Sequence, residues 1–177
     1  MVRSWDLGLD YKKTYRQLLR KIKDHYRRKA FRHYTYSIIL LIQLRNGARV
    51  SEAIEGLKKF IETGEKKVEV RVRKHKKPEY RLMVLPKELS HKDLAPCKPI
   101  LEETDNEKLK KRVQLYARKE LGINTHSLRY AFITYLLKKG ISPSLIAKIT
   151  HHRNLNYILT YTQQKTANEI LEELDRR

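Results

Sequence analysis

The segment from Tyr34 to Arg45 restricts the fold of this chain more than any other part of its sequence. It contains the longest aliphatic run, Ile38–Ile42, in a chain in which 34% of the 177 residues are charged. A helix that is apolar on all sides is normally buried, and Asn-Gly is a common helix end. We therefore predict a mostly buried helix over residues 34–45 that ends at Asn46-Gly47. The run is far too short to cross a membrane, which takes about 20 apolar residues.

Other patterns surround this helix. Residues 68–73 alternate between apolar and charged positions, and residues 80–85 are the expected partner strand, which together predict an antiparallel hairpin. Residues 86–104 contain three prolines and are expected to be a loop with at most short helices. Apolar spacing, capping residues and glycines predict helices over residues 11–29, from Ser51 onward, and over 105–121, 127–139, 142–149 and 166–175. The predicted fold class is mainly α with a small antiparallel β-hairpin (α+β).

Positive charge dominates the sequence. Forty Lys and Arg residues stand against twenty Asp and Glu, for a formal net charge of +20. The basic residues concentrate in residues 12–32 and 66–81. Such an excess predicts a polyanionic partner, with nucleic acid favoured over an anionic membrane surface. The alternative is the charged, solvated surface of a heat-adapted protein, but that surface would balance acids and bases.

The cysteine content and the N-terminal residues indicate the kind of cellular compartment in which the chain is expected. Cys97 is the only cysteine, so the chain cannot form an internal disulfide. This excludes a small secreted disulfide scaffold and fits a reducing compartment. The first ten residues contain acids and no apolar stretch, so we expect no signal peptide.

Four segments carry residues suited to phosphate chemistry. They are Asn46–Glu52, with an arginine before a predicted helix; Lys74–Lys77, the basic hairpin tip; His126–Phe132; and Thr150–Thr162. Each is a weak indication when taken alone. In this order and spacing, they resemble the catalytic domain of the tyrosine recombinase (phage integrase) family over residues 35–165.

The resemblance implies roles for the basic residues. Arg49 lies in a Gly-x-Arg-x-Ser-Glu context and takes the place of the first catalytic arginine. The second box, His126-x-Leu-Arg129, makes Arg129 the second arginine and His126 the histidine before it. The family places a lysine on the hairpin connection, where Lys74 fits best and Lys76 is the alternative.

The resemblance also implies the nucleophile. Tyr161 follows His152 by nine residues, the distance at which the family's tyrosine follows its Leu-Gly-His motif. Thr150-His151 stands where Leu-Gly is usual, so His151 is a competing candidate for the histidine. Tyr161 is therefore expected to be the nucleophile, with His152 as the more favoured histidine.

The activity implied by the resemblance is DNA strand transfer. A tyrosine attacks the scissile phosphate to give a 3′-phosphotyrosyl intermediate and a 5′-hydroxyl, and transfer to another strand gives recombination or integration. Two guanidinium groups match the charge and planar geometry of a phosphate. The family uses neither metal nor cofactor, so we expect none. The implied partners are double-stranded DNA and further copies of the chain, as a tetramer on DNA. The implied location is the cytoplasm or nucleoid of a prokaryote or an infected host cell.

We expect residues 1–177 to form a single catalytic domain. It would comprise a basic N-terminal segment (1–34), a catalytic core (35–165) and a C-terminal helix (166–177) that could be exchanged between protomers. Family members usually carry an additional N-terminal core-binding domain, which we expect to be absent at this length.

Other interpretations stay open. Residues 128–150 also fit a helix-turn-helix, which predicts a non-catalytic DNA-binding regulator but leaves Arg49 and Tyr161 without a role. The same site could nick and reseal DNA without recombination, as a type IB topoisomerase does. Arg49 taken alone could be a surface residue or pair with Glu52. His151-His152 could begin a metal site, although no cysteine pair supports one.

Overall fold

The computed structural model describes residues 8–72 and 77–152, together with Asn156, Asn168, Leu171, Glu172 and Leu174. The chain divides into two compact units, Met1–Phe132 and Ile133–Arg177. Among the helices that are described, none combines the length and the apolar character needed to cross a membrane.

The first unit is mainly helical and contains the predicted hairpin. One turn of 3-10 helix, Ala95–Cys97, joins two short helices, His91–Leu94 and Lys98–Glu102. In chain order, the elements are α1 (Tyr11–Arg27), α2 (Phe31–Asn46), α3 (Val50–Thr63), β1 (Lys67–Arg71), β2 (Tyr80–Val84), α4 (His91–Leu94), α5 (Lys98–Glu102), α6 (Asn106–Leu121) and the greater part of α7 (Thr125–Lys138). The predicted fold class, mainly α with a small antiparallel hairpin, is confirmed.

Helix α2 is the centre of the core. Every residue from Tyr34 to Leu44 is buried, and the helix packs against α1, α3 and α6. A helix that is apolar all round is stabilised by being surrounded, because water is then removed from every face. The helix predicted over residues 34–45 is confirmed and starts three residues earlier, at Phe31.

A buried hydrogen-bonded cluster ties α1 and α6 to α2. The Tyr116 hydroxyl on α6 lies 2.8 Å from His25 Nε2 on α1 and 2.8 Å from Ser37 Oγ on α2. Burial lowers the pKa of His25, so its imidazole is neutral at pH 7. The cluster therefore joins three helices with polar groups that satisfy one another inside the core.

The hairpin is attached to the end of α2. The Asn46 side chain donates to the Val84 carbonyl at 2.9 Å and accepts from the Val84 amide at 2.8 Å, as a further strand would. In the antiparallel register, buried Val70 pairs with Arg81, so Arg81 faces the core while Leu82 is exposed. The register of the strands therefore places the Arg81 side chain in the interior of the first unit.

The second unit begins with the last residues of α7 and continues into α8 (Pro143–Thr150). Gly140 follows α7 with a φ of +78°. Ser142 caps α8 by accepting from the Leu145 amide, and Pro143 occupies the first helical position, as predicted. Of the helix predicted over 166–175, only four residues are described, and all four are helical: Asn168, Leu171, Glu172 and Leu174.

Gly47 tests how tightly the end of α2 is packed. Its φ is +55°, and a Cβ added there would lie 2.2 Å from Cδ1 of Phe132. We expect Gly47→Ala to lower the free energy of unfolding by about 2 kcal/mol or more, because the methyl group adds a clash to the backbone strain. Urea titration followed by circular dichroism measures this loss.

Gly122→Ala is the matched control. Gly122 ends α6 with a φ of +64°, but no atom lies within 4 Å of its added Cβ. Gly122→Ala therefore measures the loss of free energy of unfolding that comes from the strained backbone alone. Equal losses in the two variants would contradict the close contact between Gly47 and Phe132.

Candidate active site

Three arginines from separate elements meet near the C-terminal end of α2. Arg49 is the N-cap residue of α3, Arg81 lies on β2 and Arg129 lies on α7. Arg81 and Arg129 are 3% and 1% exposed, whereas the Arg49 side chain keeps 22% of its surface exposed. Buried guanidinium groups are costly unless they are paired, so their partners define the site.

The last carbonyl groups of α2 bind two of these guanidinium groups. Arg129 Nη1 donates to the Gly47 carbonyl at 2.9 Å. Arg81 donates to the Asn46 carbonyl and, at 3.4 Å, to that of Gly47. The C-terminal end of a helix carries unsatisfied carbonyls and the negative end of the dipole, which both favour cations. The buried helix thus positions Arg81 and Arg129.

Glu52 supplies the negative charge of the cluster. Its carboxylate accepts from Arg49 Nη1 at 2.9 Å and from Arg81 Nη1 at 3.2 Å. It also accepts from the Arg49 amide at 3.0 Å, which satisfies the backbone N–H of the N-cap residue at the start of α3. One fully buried carboxylate therefore caps a helix and orients two guanidinium groups.

The pKa of Glu52 reflects these contacts. Burial alone would raise it, but the Arg49 amide and the guanidinium groups of Arg81 and Arg49 outweigh burial and lower the pKa below its usual value. The carboxylate is therefore ionised at neutral pH and holds its partners in place.

Positive charge nevertheless exceeds negative charge in this cluster. Burial, followed by the charge of Arg49, lowers the pKa of Arg129 to about 9, which still leaves it protonated at pH 7. Burial also lowers the pKa of Arg81. Arg81 Nε finds no acceptor within the described part of the chain. Among the described residues, three guanidinium groups surround one carboxylate, which gives an excess of two positive charges and suits an anionic ligand.

His126 lies on the same helix as Arg129. It is three residues before Arg129 in the first turn of α7, so the two residues share a helix face. Its ring is half-buried and meets the Tyr130 ring edge-on, with the centroids 5.5 Å apart. Of the predicted site residues, Arg49, His126 and Arg129 all lie in the first unit.

The two candidate histidines of the second unit end α8. His151 adopts the left-handed conformation, with a φ of +54°, as the C-cap of α8. Glycine most readily adopts this conformation, and histidine is among the other residues that tolerate it, so His151 keeps the left-handed turn at the position where the resemblance expects Gly. His152 follows, and its Nδ1 lies 2.7 Å from Oγ1 of buried Thr150. This hydrogen bond fixes the orientation of the His152 ring.

The remaining predicted site residues lie outside the described residues. They are Tyr161, the predicted nucleophile, and the two candidate lysines Lys74 and Lys76. Their roles stay predictions.

Sequence reasoning missed Arg81 and the contact of Glu52 with it. The pairing of Glu52 with Arg49 is confirmed, but Glu52 also binds Arg81. A signal for Arg81 existed in the strand pattern, since Arg81 and Met83 on β2, and Leu85 directly after it, are the buried alternate positions. A single arginine in phase with buried apolar residues indicates a buried cation and therefore a buried partner.

Replacing Glu52 tests the ion pairs at this site. We expect Glu52→Gln to lower the free energy of unfolding at pH 7 by about 3–5 kcal/mol, because it leaves buried guanidinium groups without a counter-charge. The lowered pKa of Glu52 means that the carboxylate stabilises the fold above its unfolded pKa of about 4.3. This contribution is lost as the pH falls through the folded pKa. The difference between wild type and variant should therefore shrink on acidification below about pH 4.

Denaturant titrations between pH 3 and pH 7 measure that difference, with the exposed Glu62→Gln as control. A Glu52→Gln variant as stable as the control at pH 7, or a difference that grows on acidification, would contradict the paired, ionised carboxylate.

Comparison with known proteins gives the family. Residues 11–168 match the sequence profile of the Phage integrase family. "Putative integrase ORF241" of Acidianus two-tailed virus is 42% identical over 171 residues, covering 97% of this chain and 69% of the relative. "Uncharacterized protein MJ0770" of Methanocaldococcus jannaschii is 38% identical, covering 97% and 89%. "Putative integrase V10" of Sputnik virophage is 32% identical, covering 97% and 91%. The chain therefore belongs to the phage integrase family.

Proposed function

We propose that this protein is a DNA strand transferase of the tyrosine recombinase type, which breaks and rejoins duplex DNA through a covalent phosphotyrosine. The observation that supports this most is the cluster of Arg49, Arg81 and Arg129 around the carboxylate of Glu52. Family membership supports DNA as the partner.

The charge of the cluster suits a phosphodiester under attack. A phosphodiester carries one negative charge, and a second develops on its non-bridging oxygens as the nucleophile adds. An excess of two positive charges is matched to that state. Because Glu52 and the Gly47 carbonyl already orient Arg49 and Arg129, the two guanidinium groups themselves need little reorientation during the chemical step.

Access differs between the two arginines. The exposed part of the Arg49 side chain is open to a ligand, whereas Arg129 is 1% exposed. For Arg129 to donate directly to a phosphate, the groups that cover it must move when DNA enters. DNA binding and assembly of the complete site are therefore coupled in this proposal.

The proposed reaction is a transesterification. The Tyr161 oxygen forms a bond to phosphorus, the bond from phosphorus to the 5′-oxygen breaks, and the phenolic proton is released. Lys74, or Lys76 in its place, protonates the departing 5′-oxygen. Attack by a 5′-hydroxyl on the phosphotyrosine reverses the step and joins the strands without metal or nucleotide. The spacing of these residues and family membership support this assignment.

The histidines donate to the same phosphate in this proposal. His126 shares a helix face with Arg129. His152 is favoured over His151, because His151 serves as the left-handed C-cap of α8 and the hydrogen bond with Thr150 orients the His152 ring. Because the Thr150 hydroxyl donates to the Ile146 carbonyl, Nδ1 of His152 donates to Thr150, and the imidazolium form of the ring then holds a second donor, at Nε2, for a phosphate oxygen.

The assembly is part of the proposal. Recombination would use a tetramer on DNA, in which residues 166–177 of one copy dock on another. A topoisomerase-like protein would form the same covalent intermediate without producing joined recombinants. A helix-turn-helix regulator would form no covalent intermediate.

The nucleophile is tested by covalent capture. On a duplex with a nick near the cleavage site, we expect wild type to form a denaturation-resistant protein–DNA adduct and Tyr161→Phe to form none, since the phenylalanine lacks the attacking oxygen. Tyr157→Phe is the matched control and should retain the adduct. Gel electrophoresis in detergent measures the result, with DNA affinity recorded beside it.

Adduct formation by Tyr161→Phe would contradict the assignment of the nucleophile. Absence of the adduct in wild type, with DNA binding intact, would instead support the regulator.

The arginines are tested by single-turnover cleavage. We expect Arg49→Ala and Arg129→Ala each to slow cleavage by about a hundredfold or more at saturating DNA, because each removes a donor to the developing charge. Arg118→Ala, on the exposed side of α6, controls for loss of a positive charge. Rates equal to that of Arg118→Ala would contradict the role of the cluster.

A further inference from the structure

Helix α1 carries a basic stripe that the proposed reaction does not use. At 3.6 residues per turn, its members fall within an arc of about 100° on the outer face of the helix. They extend over about 22 Å at 1.5 Å per residue. All six are exposed: Lys12, Lys13, Arg16, Arg20, Lys23 and Arg27. The opposite face, with Leu18 and Ile22, is buried against the core.

The charge of this basic stripe is largely uncompensated. Asp24 is the one acid in α1, and it pairs with Arg27 at 3.6 Å and with Arg28 at 3.3 Å. Within the part of the chain that the structure describes, no other member of the stripe forms an ion pair. Helix α6 differs, because Asp105 pairs with Lys108 and Glu107 pairs with Lys110. Unlike α6, therefore, α1 presents a face of one sign.

The basic stripe begins beside the arginine cluster. The Tyr11 ring, at the start of α1, lies 6.3 Å from the Phe132 ring. Phe132 lies against Gly47, whose carbonyl accepts the hydrogen bond from Arg129. Lys12, the first member of the stripe, is thus at the end of α1 nearest the cluster, and the other members lead away from it.

We propose that the basic stripe of α1 is a second DNA-contacting surface, which binds the phosphates of the duplex flanking the cleaved bond. This inference rests on the proposed function for the identity of the site it adjoins. The length of the stripe corresponds to about six base pairs, and each neutralised phosphate releases condensed counterions. An anionic membrane is disfavoured as the partner, because membrane-surface helices insert an apolar face and that of α1 is buried in the core.

The test measures the salt dependence of duplex binding. The α1 variant carries Lys12→Gln, Arg16→Gln, Arg20→Gln and Lys23→Gln, which keep helix propensity. The α6 control variant removes the same number of exposed charges through Lys108→Gln, Lys111→Gln, Arg118→Gln and Lys119→Gln. All proteins carry Tyr161→Phe, so that binding is read without cleavage. Fluorescence anisotropy follows a 40-base-pair duplex over a range of salt concentrations.

The slope of log K against log salt is negative, and we expect its magnitude to be smaller for the α1 variant by about 3 to 4, at roughly 0.9 per lost phosphate contact. Binding by the α1 variant should therefore depend less steeply on salt. The α6 control variant should keep a slope close to that of the parent. A variant with Arg16→Lys and Arg20→Lys should also keep it, because the charge is retained. Thermal melting confirms that each variant is folded.

Equal slopes for the α1 variant and the parent would overturn the proposal, as would equal losses in the α1 and α6 variants. The proposal would also be overturned if the α1 variant lost binding to phosphatidylserine vesicles while its binding to the duplex stayed the same as that of the parent. Failure of the proposed function is seen separately, since it is the absence of a Tyr161-dependent adduct in the otherwise wild-type protein.

Discussion

Glu52 brings one negative charge to the place where three guanidinium groups meet. Its carboxylate binds Arg49 and Arg81 and caps α3 through the Arg49 amide. Removing a charge of either sign would leave its buried partners uncompensated, so the contacts hold one another in place. The position of Arg49, and with it the exposed edge of the candidate active site, depends on this carboxylate.

The buried helix α2 provides the other support. Because all its faces are covered, its C-terminal end is fixed inside the first unit, and its last carbonyls can bind Arg81 and Arg129. The left-handed turn at Gly47 leaves room for Phe132. Asn46 attaches the hairpin to the same point. Apolar burial thus fixes the elements that carry the charged groups.

Sequence reasoning predicted most of the elements and two arginines of the candidate site. The apolar run of α2, the alternation in the hairpin and the Ser142-Pro143 cap are local patterns, and each predicted its element. Arg49 and Arg129 followed from motifs in the resemblance. Arg81 did not, because its role depends on strand register and on a carboxylate 29 residues away in the chain. The contact of His25 with Tyr116 spans 91 residues and has no local pattern either.

The basic stripe and the arginine cluster give the first unit two kinds of positive charge. The stripe is solvated and suited to sequence-independent attraction, whereas the cluster is buried and oriented, which suits one phosphate in a developing transition state. The most direct test of the central claim is a crystal structure of the Tyr161→Phe variant bound to duplex DNA that contains its cleavage site. We predict one phosphate with non-bridging oxygens about 3 Å from the guanidinium groups of both Arg49 and Arg129. Bound DNA in which both arginines still contact only protein atoms would contradict that claim.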